Sequence, residues 1–123
     1  MASITDKGMQ VKPTSTDQWL TQPFKRGSGV FMGRITPKGE RLFYFRYTDS
    51  EGRRPFLPIG PYHQKGRQGL TLAQAYAKAC DLADLYRSGI KDLHKYFEQK
   101  ALDEAKEIEV NRQRQLEQEQ QTS

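Results

Sequence analysis

Two short turn segments divide the middle of the chain into three runs of strand-forming residues. Residues 36–39 (TPKG) come after the first run, 30–35, and residues 49–52 (DSEG) separate the second run, 41–48, from a third, 53–59. Proline suits the second position of a β-turn, and glycine suits its last position. Because connections this short join antiparallel neighbours, the pattern predicts a three-stranded antiparallel sheet.

Prolines restrict where the third strand can lie. Pro55 and Pro58 have no backbone N–H to donate, so this strand is expected at an edge of the sheet. Their odd spacing would direct one of the two nitrogens toward the neighbouring strand, and this predicts a bulge or a local loss of pairing. Residues 41–48 must then form the central strand.

Alternation along the central strand separates two faces. One face carries only aromatic residues, Phe43, Phe45 and Tyr47, whereas Leu42, Tyr44, Arg46 and Thr48 share the other. Burial of a large apolar side chain contributes about 1.5–3 kcal/mol, so the aromatic face is predicted to form the core, joined by Leu57 and Ile59.

A helix is predicted after the third strand. Thr71 and Gln74 match a capping box, and Gly89 is a natural stop. Between them runs one apolar stripe, formed by Leu72, Ala75, Tyr76, Ala79, Ala83 and Tyr86. A second helical pattern begins at Lys91.

The predicted fold class is α+β: a three-stranded antiparallel sheet packed on one helix, with an extended C-terminal helix. Residues 1–23 are expected to be mostly flexible, although Trp19 and Leu20 can dock on the adjoining domain. Residues 24–90 form this predicted domain, and residues 91–123 a solvated helical linker.

Positive charge is concentrated in the first part of the chain. Residues 1–70 hold twelve basic and five acidic residues, against eight and ten in residues 71–123. This asymmetry favours a polyanionic partner for the first part. The sequence contains no apolar run long enough to span a membrane. Residues 1–20 lack the apolar stretch of a secretory signal, so export by that route is not expected.

Other kinds of site find little support. A single cysteine, Cys80, together with His63 and His94 lacks zinc-ligand spacing, and Cys80 is predicted to be a small buried hydrophobe. The glycine-rich segment 65–69 lacks the spacing of a nucleotide-binding loop. No metal, cofactor or small-molecule substrate is therefore expected.

The face opposite the aromatic core combines Tyr44, Arg46, Arg54 and Phe56, with Arg34 from the first strand. Two interpretations remain open. The face is either a solvated surface on which arginine stems pack against rings, or a nucleic-acid surface on which arginines contact phosphates or guanine.

A series of short motifs supports the second interpretation. The series runs Gly29-Val30-Phe31, Arg34-Ile35-Thr36-Pro37-Lys38-Gly39, Phe43-Tyr44-Phe45-Arg46-Tyr47, Gly52-Arg53-Arg54, Ile59-Gly60-Pro61-Tyr62, Leu70-Thr71-Leu72-Ala73-Gln74-Ala75 and Gly89-Ile90. In this order and spacing the motifs resemble the N-terminal arm-type DNA-binding domain of phage and genomic-island tyrosine recombinases, over about residues 24 to 90.

The resemblance implies a sheet that enters the major groove of arm-type DNA sites beside the recombination core. Two positions depart from the family pattern: Tyr76 stands where arginine is usual, and Gly33 is expected to form a bulge that leaves open whether Met32 or Arg34 faces DNA. The predicted DNA-binding residues are Lys25, Arg26, Arg34, Lys38, Tyr44, Arg46, Arg53, Arg54 and Phe56.

Catalysis is not expected from these residues. Neither His63 nor His94 begins the His-x-x-Arg element of a tyrosine recombinase. The resemblance therefore implies a DNA-binding fragment of a larger recombinase, acting in the bacterial cytoplasm, with other integrase protomers as possible partners on DNA. Single-stranded nucleic-acid binding on Tyr44 and Phe56, and a protein-interaction role for the C-terminal helix, are the alternatives.

Overall fold

The computed structural model describes residues 3–121, without the side chains of the last two. Its elements, in chain order, are the helical turn α1 (Asp6–Met9), strands β1 (Gln18–Pro23), β2 (Val30–Ile35), β3 (Arg41–Arg46) and β4 (Phe56–Pro61), and helices α2 (Leu72–Arg87) and α3 (Leu93–Gln121). A 3₁₀ turn, Lys25–Gly27, joins β1 to β2. The class is α+β, as predicted, with an extended C-terminal helix.

The sheet has four antiparallel strands in the order β1-β2-β3-β4. The prediction of three strands was wrong, because β1 comes from the segment expected to be mostly flexible. Its six residues pair along the whole length of β2, from Gln18 opposite Ile35 to Pro23 opposite Val30. A polar sequence such as QWLTQP forms this strand because a neighbouring strand supplies hydrogen-bond partners that a periodicity argument does not see.

The two predicted turns connect β2 to β3 and β3 to β4. In the first, the Gly39 amide donates to the carbonyl of Thr36 (2.9 Å), and in the second the Gly52 amide donates to the carbonyl of Asp49 (3.1 Å). Both glycines have a positive φ, 89° and 82°. Glycine adopts this conformation without the steric cost that a side chain brings.

β4 is an edge strand, as its prolines require, and it carries the expected bulge. Tyr44 lies opposite Pro58 and Phe43 opposite Gly60, so Ile59 is the extra residue.

The bulge expected at Gly33 is absent, because β2 pairs with β3 in unbroken register. Gly33 serves another purpose: a Cβ there would lie 2.5 Å from the Sδ of Met9. Glycine at this position therefore lets α1 pack directly on the sheet.

The core lies between the sheet and α2, on the face that the alternation predicted. Phe31, Phe43 and Phe45 are fully buried, and the rings of Phe31 and Phe43 stack with centroids 5.3 Å apart. The side of α2 that meets them is made of small residues, since Ala75, Ala79 and Ala83 are also fully buried. Small side chains allow the helix to approach the rings closely.

The predicted limits of α2 are confirmed. The Thr71 hydroxyl accepts from the Gln74 amide and the Gln74 side chain accepts from the Thr71 amide, which completes the capping box. The helix ends at Arg87, two residues before Gly89, whose φ is 116°.

Two side chains fasten the N-terminal segment to the sheet. The Arg41 guanidinium donates to the carbonyls of Met9 (2.7 Å) and Val11 (3.0 Å). The Tyr62 hydroxyl donates to Asp6 (2.8 Å). The pKa of Tyr62 is raised, mainly by burial, and the hydrogen bond to Asp6 adds to this effect. These bonds give the segment tertiary partners that its own composition does not suggest.

Contacts divide the chain into a first unit ending at Leu93 and a second beginning at His94. Helix α3 forms the described part of the second unit, and its described side chains are exposed from Glu98 onward, including Leu102, Ile108 and Leu116. None of the helices in the described range 3–121 is sufficiently long and apolar to cross a membrane.

Truncation of a core ring tests the assignment of the two faces. Phe45→Ala is expected to lower the free energy of unfolding by about 3–5 kcal/mol, because it removes a fully buried aromatic side chain. Phe56→Ala, on the opposite face and 39% exposed, is the matched control and is expected to cost much less. Denaturant unfolding measures both, and a larger loss for Phe56→Ala would mean that the faces are reversed.

Candidate nucleic-acid interface

The face of the sheet turned away from α2 is the candidate site and is called the open face. Both α1 and α2 pack on the other face, through Met9 and the buried alanines. Strand register places on the open face the side chains of Trp19, Thr21, Pro23, Val30, Met32, Arg34, Leu42, Tyr44, Arg46, Phe56 and Pro58. Residues from all four strands therefore contribute to it.

Three aromatic rings form a cluster at the centre of the open face. Ring centroids lie 6.0 Å apart for Trp19 and Tyr44, 5.9 Å for Tyr44 and Phe56, and 5.5 Å for Trp19 and Phe56. Met32, on the same face, is only 5% exposed. This cluster gives the face an apolar centre, in which Trp19 and Phe56 remain about 40% exposed.

Two arginines lie on these rings. The guanidinium carbon of Arg34 is 5.4 Å from the Trp19 ring centre, and that of Arg46 is 5.3 Å from the Phe56 ring centre. Such cation–π contacts contribute about 0.5–1 kcal/mol at exposed sites. They also restrict the motion of each planar guanidinium, so that less side-chain entropy is lost when it binds a partner.

The two arginines differ in their charge partners. Arg34 donates to the Asp17 carboxylate at 2.8 Å. The pKa of Arg34 is raised, mainly by this hydrogen bond. The Nε atoms of both arginines are buried without a hydrogen-bond partner, but Arg46, unlike Arg34, has no ion pair within the described part of the chain. A buried donor left unsatisfied costs about 1–3 kcal/mol. Arg46 is therefore the arginine of the open face whose charge is least compensated.

The remaining basic residues predicted for the site lie at the two ends of the sheet. The turn containing Lys25 and Arg26 is at the end where β3 finishes at Arg46 and β4 begins, and Arg54 precedes β4 at that same end. Lys38 lies in the β2–β3 turn at the opposite end. The structure thus brings Lys25, Arg26, Arg46 and Arg54 to one end and separates them from Lys38.

Arg53 has a different environment from its neighbour Arg54. Its guanidinium contacts the carboxylates of Asp49 (2.9 Å) and Glu51 (3.2 Å). These contacts raise the pKa of Arg53, and the hydrogen bond to Asp49 is the largest cause. Asp49 also accepts from the amides of Glu51 and Arg53, at 3.0 and 2.8 Å. Arg53 therefore takes part in building the β3–β4 turn, a role that the sequence pattern did not indicate.

Without a bulge at Gly33, Met32 and Arg34 both lie on the open face, although Met32 is only 5% exposed. Trp19 and Asp17 are the residues that sequence reasoning missed as parts of the site. Trp19 was expected only to dock on the domain, and no alternation of apolar and polar residues in QWLTQP indicates which face its side chain takes.

The glycine-rich loop after β4 is organised by His63. Its Nδ1 accepts from the amides of Lys65 (3.1 Å) and Arg67 (3.3 Å), which occupies two donors that an anion would need. Within residues 3–121 no group of three or more histidine, cysteine or acidic side chains is placed to hold a metal ion.

Fold and site together define an α+β domain with one helix-covered sheet face and one uncovered face of rings and arginines. Comparison with protein families places it further: the model of the family described as "Arm DNA-binding domain" matches residues 4–100. The chain belongs to this family of arm-type DNA-binding domains, which are found in phage integrases. The match begins well before residue 24 and includes α1 and β1. No curated protein and no solved structure matches the chain.

Acidification tests the β3–β4 turn. Desolvation raises the pKa of Asp49, but hydrogen bonds from the Arg53 and Glu51 amides and from the Arg53 side chain outweigh it, so the net pKa lies below the usual value of about 3.9. The ionised form is thus favoured by folding. Its stabilisation is present above that usual value and is lost as the pH falls through the lower folded pKa.

The Asp49→Asn variant should be less stable than the wild type at pH 6, with a difference that narrows as the pH falls below about 4. Urea unfolding at a series of pH values measures this difference. A constant difference down to pH 2 would show that the Asp49 charge does not stabilise the turn.

Proposed function

We propose that the chain binds double-stranded DNA in a sequence-specific manner, as the arm-binding part of a phage-type tyrosine recombinase, with its open face in the major groove. Membership of the arm-type family supports DNA binding. The observation that carries the proposal is the pair of arginines laid on aromatic rings of an uncovered sheet face. Fixed guanidinium groups suit contacts to guanine edges and phosphates.

The width of the sheet indicates how it meets the groove. Four strands about 4.8 Å apart span about 14 Å, whereas the major groove is about 12 Å wide. β1 contains no basic residue and comes directly after Asp17, which carries the opposite charge. We therefore expect β2, β3 and β4 to enter the groove while the backbone of β1 lies at its edge. The Trp19 ring, which stacks on Phe56 of β4, is expected to be covered by the DNA with the rest of the open face.

Geometry favours a duplex over a single strand. Stacking of unpaired bases needs free ring faces, and here Trp19 and Phe56 stack on each other with an interplanar angle of 21°. Arg46 lies over the ring of Phe56. Rings engaged in this way are less available for bases than the rings of an open stacking platform.

The proposed parent protein is catalytic, although this chain is not expected to be. Cleavage would come from a separate recombinase domain, and binding of arm-type sites by this domain would position other protomers on the same DNA. The cytoplasm of a bacterial host is the location that this role requires, as a further part of the proposal.

Selection from a randomised duplex library, followed by fluorescence anisotropy on the enriched sequence, tests the proposal. The chain should prefer the duplex to either of its single strands. The logarithm of the binding constant should fall linearly with log salt, with a slope near −0.9 for each phosphate contacted. Preference for the single strand, or a flat salt response, would contradict duplex binding.

Arg46→Ala is expected to weaken binding to the selected duplex by about 1–3 kcal/mol, because it removes the least compensated charge of the open face. Arg112→Ala, which removes the same charge from exposed α3, is the matched control. Equal losses would indicate an effect of net charge alone, and a loss only for Arg112→Ala would favour a role for the C-terminal helix.

A further inference from the structure

A groove of about 360 Å³ opens at the end of the sheet where Arg46 lies. We propose that this groove binds one phosphodiester of the DNA backbone, an assignment that rests on the proposed duplex-binding function. Two arginines face it, and the backbone of the β1–β2 connection forms another of its walls. The lining residues that carry the argument are Arg46, Arg54, Thr48, Phe24, Gly27 and Gly29.

The charge of the groove is positive and uncompensated. None of its lining residues is acidic. Arg54 is exposed and forms no ion pair within residues 3–121, and the Nε of Arg46 is shielded from solvent without a hydrogen-bond partner. Because no acidic side chain within residues 3–121 forms an ion pair with Arg46 or Arg54, an anion in the groove can pair with both without breaking an ion pair of the protein.

One wall of the groove depends on a glycine. Gly29 has a φ of 127°, and a Cβ there would lie 2.1 Å from a ring carbon of Phe45. Only glycine lets the connection lie this close to the core. Lys25 and Arg26 fall between the lining residues Phe24 and Gly27, so the same connection carries two further positive charges.

Arg53 supplies an internal contrast. It is adjacent in sequence to Arg54, yet it does not line the groove, and its guanidinium is already held by Asp49 and Glu51. The two neighbouring arginines therefore differ: Arg53 is paired with two carboxylates of the protein, and Arg54 faces the groove. A phosphate in the groove would depend on Arg54 and hardly on Arg53.

The test compares Arg54→Gln with Arg53→Gln on a 20-base-pair duplex of mixed sequence, by anisotropy at several salt concentrations. Arg54→Gln should weaken binding about tenfold at low salt and reduce the steepness of the salt slope by about 0.9. Arg53→Gln should leave the slope unchanged, and Arg54→Lys should preserve it. On the selected duplex, the penalties for single base-pair changes should be the same in Arg54→Gln as in the wild type.

Equal changes in slope for the Arg53 and Arg54 variants would overturn the proposal, since the effect would then be one of net charge. A loss confined to one base-pair position would also overturn it, by making Arg54 a base contact. Saturable binding of inorganic phosphate by the chain, with duplex binding unchanged in Arg54→Gln, would assign the groove to a free ion. Failure of the wild type to bind any duplex would instead refute the proposed function itself.

Discussion

The alternation of side chains along β3 is the constraint on which the rest of the structure depends. Phe43 and Phe45 point toward α2 and are fully buried, while Tyr44 and Arg46 point to the other side. A shift of one residue would bury an arginine and expose the core rings, at a cost of several kcal/mol. The same alternation that builds the core therefore also presents the open face.

Aromatic rings have two distinct roles in this domain. On the buried face they fill the space beneath a helix side made of alanines. On the open face Trp19, Tyr44 and Phe56 form a platform that holds Arg34 and Arg46. Placing guanidinium groups in advance reduces the entropy lost on binding, so the stability of the platform and the affinity for a partner are linked.

Four features of the fold could be predicted, because each results from local chemistry. They are the strands β2 to β4, the edge position of β4, the limits of α2 and the orientation of the core. The local signals are turn glycines, prolines, a capping box and period-two alternation. β1 could not be predicted in this way, because its partners are the backbone groups of β2, which lie later in the chain. The prediction of a bulge at Gly33 was wrong for a similar reason. Glycine is needed there because Met9 packs against its Cα, and this contact is not visible in the local sequence. At the site, the residue types were predictable, but the ion pairs of Arg53 with Asp49 and Glu51 were not, because they depend on how the β3–β4 turn folds.

The central claim is that the open face contacts the DNA, and the single tryptophan allows a direct test. Trp19 lies on this face and is 42% exposed, so acrylamide quenches its fluorescence in the free protein. Addition of the selected duplex, with binding followed in parallel by anisotropy, should protect Trp19 from acrylamide in proportion to the fraction bound. Full binding by anisotropy with unchanged quenching of Trp19 would show that DNA binds elsewhere on the protein.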